Sequence, residues 1–543
     1  MQGLIMDYQL TVPAILRRGE TLFADKEIVS RLPDRSFHRY TYADFAERSK
    51  RLALALQGLG LERGDRVGTL AWNHYQHLES YFGAPIGGFV THTLNLRLHP
   101  GDLAYIATHA NDRAVIVDES LLPLLDAFRK DTNIEHVIVT SSSGNVPEGA
   151  LDYEQLLAGV DPAGWREPDI DEREAAVMCY TSGTTGRPKG ALYSHRAIAV
   201  HSLASAMSGT LGLAEQDTTL PVVPMFHANA WGFPFTCTLV GAKQVFPGPY
   251  LDPESLLETF QNEKVTVTAG VPTIWLGILQ MLDAQPDKYD LSSVRAMIVG
   301  GSAAPRSMIE GFDKHGLHVI HAWGMTEMAP LGTVAEPTSR ILARSEDEQY
   351  AFRAKQGIPA PFVEIRARTE EGFAPWDGST MGELEVRGVW ISSAYFDDDS
   401  QSERWTDDGW FKTGDIVTID STGTIEIQDR TKDVIKSGGE WISSVALENA
   451  LMGHPAVAEA AVIAMPDAKW QERPLAVVVL KEGQTATGEE LKEFLAPQFA
   501  KWWLPDAYEV VDEIPKTAVG KFRKTALRDQ FAEYTMPEPA ASR

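Results

Sequence analysis

The sequence contains few cysteines and few basic residues, and each shortage excludes a class of protein. Only Cys179 and Cys237 occur in 543 residues, too few for a disulfide framework or a cysteine zinc site, as is usual in a reducing cytosol. Both are predicted to be buried structural side chains. The 49 lysines and arginines are outnumbered by 75 acidic residues, which gives a net charge of −26. This charge argues against broad binding of nucleic acid.

Long apolar runs are also missing. No run approaches the roughly 20 residues that span a bilayer. The N-terminal segment carries Asp7 early and Arg17 and Arg18 late, the reverse of a secretory signal. We therefore expect a cytoplasmic protein with at most peripheral membrane contact. Its length and its apolar fraction of 44% predict two or more globular domains.

Short apolar segments alternate with helical patterns in the first part of the chain. Thr41 and Asp44 form a capping-box pattern at the start of one helix. Because strands and helices alternate, an α/β architecture is expected. The predicted strands are Arg66–Trp72, Ala114–Asp118, His136–Thr140, Ala175–Tyr180, Val265–Ala269 and Ala296–Val299.

The pattern changes after about residue 360, where apolar and polar residues alternate as in antiparallel strands. The last block combines strands with helices predicted at Val445–Met452 and Gly488–Trp503. The charged stretch Asp429–Asp433 precedes this block. We therefore predict an α/β and α+β protein with an N-terminal domain of residues 1–428 and a small α+β domain of residues 429–543.

One loop has the composition of a phosphate-binding site. Tyr180–Gly190 reads YTSGTTGRPKG, and its glycines and hydroxyl residues leave backbone N–H groups free to surround an anion. A Gly-rich loop alone is more often a plain turn. A Walker loop is excluded because Pro188 and Gly190 replace the required GK[ST] that opens a helix. The candidate phosphate-binding residues are Thr181, Ser182, Gly183, Thr184, Thr185, Gly186 and Lys189.

The loop and four further motifs, in order, resemble the adenylate-forming superfamily of acyl- and aryl-CoA synthetases, peptide adenylation domains and luciferases. The further motifs are GGSAAP (Gly300–Pro305) with HAWGMTE (His321–Glu327), TGD ending at Asp415, DRTKDVIKSGGEW (Asp429–Trp441) and PKTAVGK ending at Lys521. The resemblance covers about residues 20 to 530. It implies an N-terminal domain with two α/β subdomains and a β-barrel-like subdomain, and a mobile C-terminal domain.

The resemblance also assigns nucleotide contacts. It implies that Trp323 offers adenine a flat face, Thr326 contacts the α-phosphate, and Glu327 with Thr181 holds Mg²⁺. A carboxylate such as Asp415 can accept hydrogen bonds from both ribose hydroxyls, and Arg430 is the implied second ribose contact. The other implied nucleotide contacts are Gly301, His321, Ala322, Gly324, Lys432, Lys436 and Trp441.

The C-terminal motifs imply the chemistry of the second substrate. By resemblance, Lys521 bridges the carboxylate and the α-phosphate during adenylation, and Asp429 is the hinge between the domains. ATP and CoA are the implied co-substrates, Mg²⁺ is the implied cofactor, and a homodimer is expected. The implied CoA-binding residues are Lys436, Ser437, Gly438, Gly439, Glu440 and Trp441.

The segment MFHANAWGFPF (Met225–Phe235) indicates which type of carboxylic acid is the substrate. It brings His227, Ala228 and Trp231 to the expected acyl pocket with Gly301, and no acidic residue follows until Asp252, so an α-amino acid is not expected. The segment resembles fatty acyl-CoA synthetases in which the tryptophan gates an acyl tunnel, although such aromatics are often simply core.

We therefore predict an acid–thiol ligase, a medium- to long-chain fatty-acid–CoA ligase. A ligase for short-chain, methylthio-propionate or aryl acids is the alternative within the superfamily. From other classes, a nucleotide-binding regulator without catalysis would lack acid-dependent AMP release. A structural or adaptor protein would leave the phosphate-loop composition unexplained.

Overall fold

The structure is a computed structural model that describes residues 1, 3–181, 187–437, 440–467, 469–516, 522–534 and 536, without the side chains of residues 400, 401 and 440. The strands are β1 Glu27–Arg31, β2 Phe37–Thr41, β3 Arg66–Leu70, β4 Val90–Thr93, β5 Asp112–Asp118, β6 His136–Thr140, β7 Leu151–Asp152, β8 Ala175–Tyr180, β9 Gly190–Ser194, β10 Thr218–Pro221, β11 Lys243–Phe246, β12 Val267–Gly270, β13 Ala296–Val299, β14 Val319–Gly324, β15 Leu331–Val334, β16 Ile358–Pro359, β17 Val363–Thr369, β18 Gly372–Phe373, β19 Gly382–Gly388, β20 Phe411–Ile419, β21 Ile425–Arg430, β22 Ile435–Ser437, β23 Glu440–Ile442, β24 Val457–Asp467, β25 Gln471–Leu480 and β26 Ala507–Val510.

The helices alternate with the strands over most of the chain. They are α1 Val12–Leu22, α2 Tyr42–Gly58, α3 Tyr75–Ile86, α4 Pro100–Ala110, α5 Leu122–Phe128, α6 Tyr153–Ala158, α7 His195–Ala206, α8 Phe233–Val240, α9 Pro253–Glu263, α10 Pro272–Ala284, α11 Arg306–Lys314, α12 Ser339–Leu342, α13 Glu346–Ala354, α14 Ser444–Met452, α15 Gly488–Leu495 and α16 Lys524–Gln530.

Two largely parallel sheets form the first part of the molecule. One has seven strands in the order β7-β6-β5-β3-β4-β8-β9, and the other has nine in the order β16-β15-β14-β13-β12-β10-β11-β1-β2. Antiparallel pairing is confined to β8–β9 in the first sheet and to both ends of the second. The predicted α/β architecture is therefore confirmed.

Two smaller sheets follow. An antiparallel sheet has the order β18-β17-β19-β20-β21, and the last sheet joins β23-β22-β25-β24 with β26 beside β25. Two apolar clusters in this last part contain only residues from Ile435 onward, so it has its own core. The small C-terminal α+β unit is confirmed as a fold, while its exact boundary at residue 429 stays a prediction.

Local sequence signals account for the helix that packs beneath the seven-stranded sheet. Thr41 and Asp44 form the predicted capping box at the start of α2, which satisfies two backbone donors at the helix end. Phe45, Leu52 and Leu56 are fully buried along one face. Burying each such side chain contributes roughly 1.5–3 kcal/mol, so packing rather than helix propensity holds α2 in place.

Several predicted boundaries were wrong: the strand predicted over Arg66–Trp72 ends at Leu70, and two further boundaries have local reasons. The helix predicted over Gly488–Trp503 ends at Leu495, because Pro497 lacks the N–H needed to continue it. The strand predicted at Val265 begins at Val267, since Lys264 ends the preceding helix in the left-handed conformation (φ 54°). Both cysteines are buried as predicted. In the described part of the chain, no helix is long and apolar enough to cross a bilayer.

Candidate active site

A large cavity of about 1240 Å³ opens where the two parallel sheets, the antiparallel sheet and the C-terminal unit meet. Its walls come from distant parts of the sequence, including Thr181, Trp231, Glu327 and Arg430, and from the C-terminal segment at Lys516. The cavity therefore brings together most of the motifs that the sequence singled out.

The phosphate loop leaves β8 and returns in β9. Thr181 N donates to the carbonyl of Lys189 (2.9 Å), and Lys189 N donates to Thr181 Oγ1 (3.1 Å), so the loop is closed at its base. A strand, β9, follows the loop instead of a helix, in accordance with the rejection of a Walker loop. The Lys189 ammonium lies 5.2 Å from the centre of the Tyr395 ring. Burial and then the charge of Arg404 lower the pKa of Lys189.

Glu327 is held in a fixed position at the wall of the cavity. It is almost fully buried, and its Oε1 accepts a hydrogen bond from the hydroxyl of Tyr395 (2.6 Å). Its backbone carbonyl accepts from Ser392 N (2.8 Å). The Tyr395 pKa is raised, first by burial and then by the Glu327 charge, so the phenol remains a donor. Sequence reasoning missed Tyr395, which lies outside every motif.

The site suits a metal ion that is held partly by a substrate. Among the described residues, no group of three or more histidine, cysteine or acidic side chains is placed to hold a metal ion. Magnesium is commonly held by one or two carboxylates together with substrate phosphates. Glu327 fits this pattern. Its Oε1 accepts the hydrogen bond from Tyr395, and its Oε2 takes no part in that hydrogen bond.

Trp323 lies in β14 and lines the cavity. The backbone around it is tightly packed. A Cβ on Gly332 would meet the Trp323 ring at 2.6 Å, and one on Gly324 would meet the Pro330 carbonyl at 1.9 Å. Glycine is therefore required at both positions. Ala322, Gly324 and Thr326 line the cavity beside Trp323.

His321 is placed differently from its neighbours in the motif. Its ring is buried, Nδ1 lies 3.2 Å from the Ala354 carbonyl, and it is absent from the cavity lining. Burial lowers the pKa of His321 to about 4. The His321 side chain is therefore not among the groups that line the cavity, and the nucleotide contact at this residue stays a prediction.

Asp415 and Arg430 face each other across two neighbouring strands. They are register partners in β20 and β21, and Arg430 Nε lies 2.8 Å from Asp415 Oδ1. Asp415 is almost fully buried, while Arg430 and the adjacent Gly414 line the cavity. The strand pairing thus brings the two predicted ribose contacts together.

The acyl side of the cavity contains an unusual backbone turn. Ala228, Asn229, Ala230 and Trp231 all have positive φ values (43°, 56°, 47° and 57°), and Gly232 follows at 81°. A left-handed conformation costs a non-glycine residue roughly 1–2 kcal/mol, so the surrounding contacts must hold this turn. We call residues 228–232 the left-handed turn.

Three contacts support the left-handed turn. The Cys179 thiol, on the strand that leads to the phosphate loop, donates to Asn229 Oδ1 (3.1 Å). Gly232 packs so closely on His201 that an added Cβ would lie 2.7 Å from its ring. Trp231 rests on Gly300, where an added Cβ would lie 3.1 Å from the indole. His227, Ala228, Trp231 and Gly301 all line the cavity, and their role as an acyl pocket stays a prediction.

Asp429 lies at the junction between the antiparallel sheet and the C-terminal unit. Its carboxylate accepts from Ser444 N (2.8 Å) and from the Ser444 hydroxyl at the start of α14. Ser444 in turn accepts a hydrogen bond from Lys524, whose ammonium also lies 2.7 Å from Glu448. Sequence reasoning missed this buried connection between Asp429, the predicted hinge, and the segment that follows the PKTAVGK motif.

Two residues of the predicted CoA-binding segment do not line the cavity. Lys436 and Trp441 are register partners in β22 and β23, and neither is among the cavity-lining residues, whereas Lys432 is. Several predicted residues fall outside the described part of the chain, and the side chain of Glu440 is likewise not described. These residues are Ser182, Gly183, Thr184, Thr185, Gly186, Gly438, Gly439 and Lys521.

The fold and the cavity together define a nucleotide-binding enzyme. Comparison with known families identifies it further: the AMP-binding enzyme family matches residues 17–396, and the AMP-binding enzyme C-terminal domain matches residues 446–521. The chain belongs to the AMP-binding enzyme family. The resemblance predicted from the motifs is thereby confirmed.

Individual relatives match over nearly the whole chain. A long-chain-fatty-acid–CoA ligase of Thermus thermophilus is 49% identical over 94% of both chains. A 3-methylmercaptopropionyl-CoA ligase of Ruegeria lacuscaerulensis is 43% identical over 95% of this chain and 96% of the relative. A medium-chain-fatty-acid–CoA ligase of Ectopseudomonas oleovorans is 42% identical over 95% of both.

A solved structure shows the same fold. The anthranilate CoA ligase AuaEII in complex with anthranoyl-AMP is 26% identical, with a TM-score of 0.86 over 98% of this chain and 99% of that one. The two folds therefore correspond over nearly the full length of both chains.

Proposed function

We propose that the protein is a medium- to long-chain fatty-acid–CoA ligase. The acid and ATP would form an acyl-adenylate and diphosphate, and CoA would then displace AMP to give acyl-CoA. The enzyme class, an AMP-forming acyl-CoA synthetase, and the fatty-acid assignment agree with the family and with the relatives of 42–49% identity.

The observation that carries the proposal is the composition of one continuous cavity. Its lining includes the charged residues Lys189, Glu327 and Arg430 together with the apolar residues Leu211, Ala228, Trp231 and Ile298. A carboxylic acid whose head is charged and whose tail is apolar fits such a cavity, since its tail gains free energy by leaving water.

The same cavity argues against an amino acid substrate. Asp252, the first acid after the acyl segment, accepts a hydrogen bond from Ser255 N (2.9 Å) and caps α9. It is absent from the cavity lining and is therefore not placed to bind a substrate ammonium group.

The adenylation step requires no protein nucleophile, because the substrate carboxylate attacks the α-phosphorus of ATP. The residues act by neutralising charge and by positioning. In our proposal Lys189 and the phosphate loop hold the phosphates, and Glu327 with Thr181 holds Mg²⁺, which would neutralise charge on the phosphates. Asp415 and Arg430 would hold the ribose, Trp323 the adenine, and Lys521 the carboxylate and α-phosphate.

The thioester step is proposed to follow rotation of the C-terminal domain about Asp429. The absence of Lys436 and Trp441 from the cavity lining supports this proposal, because CoA bound at these residues would have to be brought to the adenylate. We also propose a homodimer located in the cytoplasm, as the family resemblance suggests. Sedimentation of the purified chain tests the dimer.

A second candidate is a ligase for 3-methylmercaptopropionate, favoured by the 43% identical relative. Short-chain or aryl acids are further alternatives. Diphosphate release measured with C3 to C18 acids, 3-methylmercaptopropionate and benzoates separates them. The proposal predicts the largest kcat/KM for medium- or long-chain fatty acids, and activity only with aromatic or short acids would contradict it. Absence of any acid-dependent AMP release would instead indicate a non-catalytic nucleotide-binding protein.

A further inference from the structure

Cys179 is buried against the left-handed turn and is hydrogen-bonded to it. The residue lies in β8 and is not among the cavity-lining residues. Its thiol donates to Asn229 Oδ1 (3.1 Å), and both residues are almost fully buried. Among the described residues, Cys179 is the hydrogen-bond partner of the Asn229 side chain. Because a buried acceptor without a donor costs free energy, this bond favours the observed position of Asn229.

A second hydrogen bond holds the start of the same segment. The hydroxyl of Thr93, in β4, donates to the carbonyl of Phe226 (3.2 Å) and lies 3.4 Å from the Cys179 sulfur. Thr93 is also buried and does not line the cavity. Thr93 and Cys179 are register partners in the parallel pair β4 and β8. Two adjacent residues of the seven-stranded sheet therefore hold residues 226 to 229 by hydrogen bonds.

The thiol of Cys179 remains a donor at neutral pH. Burial raises the pKa of Cys179 to about 11, although the hydroxyls of Thr93 and Tyr193 act in the opposite direction. The thiol therefore keeps the proton that it donates to Asn229. Asparagine is also one of the residues that adopt the left-handed conformation most readily after glycine, which suits the φ of 56° at this position.

Trp231 is the large side chain of the left-handed turn, and it lines the cavity. Its indole rests on Gly300, where an added Cβ would lie 3.1 Å away. The φ values of Asn229 and Trp231 are 56° and 57°, a conformation that costs free energy at a non-glycine residue. The position of the indole therefore depends on contacts that hold the backbone of the turn, and the hydrogen bond to Asn229 is one of them.

We propose that Cys179 and Asn229 are positioning residues for selection of the acyl chain, because their hydrogen bond holds the turn that carries Trp231. Neither residue lines the cavity, so both act through the turn. When the bond is lost, the turn relaxes and the indole leaves Gly300, which widens the apolar part of the cavity. Longer acids then gain relative to shorter ones. The inference rests on the proposed function, in which the acyl chain occupies this part of the cavity.

The test measures kcat/KM for octanoate and palmitate, together with the KM for ATP. C179S keeps a hydroxyl donor in place of the thiol, whereas C179A removes the donor. A hydrogen bond contributes the equivalent of roughly two- to tenfold in an equilibrium constant. We expect C179A to raise the ratio of kcat/KM for palmitate over octanoate by roughly this factor. C179S should stay closer to wild type, and the KM for ATP should stay unchanged in both variants.

C237A and C237S are the matched controls. Cys237 is the other buried cysteine of the chain. It lies in α8, its sulfur is 3.3 Å from Thr219 Oγ1, and it does not line the cavity. Both controls should keep the wild-type ratio of palmitate to octanoate. An equal shift in C237A and C179A would show that any loss of a buried thiol alters the ratio, and would overturn the proposal.

Double mutants test whether the effect passes through Trp231. Residues that act through one another are not additive, so C179A should leave the ratio unchanged in a W231A background. N229A removes the same hydrogen bond from the acceptor side and should shift the ratio as C179A does. It carries the test if C179A fails to fold, as judged by circular dichroism.

Three results would overturn the inference: a wild-type ratio in both C179A and N229A, a parallel loss of activity with both acids, or a full shift in the W231A background. Each of them leaves the proposed function intact, because the wild-type protein still activates fatty acids. Wild-type protein that releases no diphosphate with either acid would contradict the proposed function itself, which is a distinguishable result.

Discussion

The proposed nucleotide side and the proposed acyl side of the cavity are built in different ways. On the nucleotide side, charged and hydroxyl side chains stand on ordinary strands and turns, as in the pairing of Asp415 with Arg430. On the acyl side, small and aromatic residues stand on the left-handed turn, held by Cys179 and His201. Binding of charged groups would thus depend on which side chains are present. The shape of the apolar pocket would depend on the backbone conformation that presents its residues.

This difference predicts that the two halves respond separately to mutation. Changes on the nucleotide side should affect all acids equally, since every acid meets the same ATP. Changes on the acyl side should alter the preference among acids and leave ATP binding nearly unchanged. The following variants either sharpen this separation or break it.

The largest effect in this group is expected for E327Q. Loss of the carboxylate charge removes the candidate Mg²⁺ ligand, so adenylation should fall roughly 10²- to 10³-fold for every acid. Diphosphate release in a magnesium titration measures the change. E364Q, an exposed glutamate on the antiparallel sheet, is the matched control. A decrease confined to one class of acid would show that Glu327 belongs to the acyl side instead.

A smaller and selective effect is expected for W231A. Removing the indole that rests on Gly300 enlarges the apolar pocket, so kcat/KM for acids of different length should shift relative to one another by roughly tenfold. The KM for ATP should stay unchanged. W376A, at an exposed tryptophan, serves as the control. If all acids lost activity in parallel, Trp231 would be part of the core and not a determinant of chain length.

A third effect concerns the pH dependence of stability and not catalysis. Burial lowers the pKa of His201 to about 4 in the folded protein, below the ordinary value of about 6.5. Between these values the unfolded chain binds a proton that the folded chain does not, so stability falls as the pH falls from about 6.5 to 4. The loss from this group is on the order of 3 kcal/mol.

Urea unfolding followed by tryptophan fluorescence at pH 7 and pH 4.5 measures this contribution. H201Q, which retains a hydrogen-bond acceptor for Leu331 N, should lose less stability on acidification than wild type. An identical loss in both proteins would mean that the His201 ring already carries its proton in the fold, or is solvated. Because His201 supports the left-handed turn, the chain-length preference of H201Q also tests that contact.

Much of the fold could be predicted from local patterns. The strands at Ala114–Asp118, His136–Thr140, Ala175–Tyr180 and Ala296–Val299 were correct or nearly so, because buried parallel strands are continuous apolar runs. Element ends were less predictable, as Leu495 and Val267 show. The end of the helix at Leu495 depends on a single proline, Pro497, and the start of the strand at Val267 depends on the left-handed Lys264.

Many of the charged residues that line the cavity were also predicted, since motifs in order along the chain identify them. The exceptions are Tyr395 and Arg404, which reach the cavity from an irregular segment with no motif. For the proposed acyl side, the sequence predicted which residues belong to the segment but not their backbone conformation. Four consecutive non-glycine residues with positive φ leave no local signal, because packing against His201 and Gly300 rather than propensity stabilises them.

The most direct test of the account measures both half-reactions in K521A. Adenylation is followed as diphosphate release, and thioester formation is followed from supplied acyl-AMP and CoA. The account predicts that adenylation falls roughly 10²- to 10³-fold while thioester formation stays near the wild-type rate. Unchanged rates in both steps, or equal loss in both, would contradict the proposal that Lys521 acts on the carboxylate and the α-phosphate during adenylation.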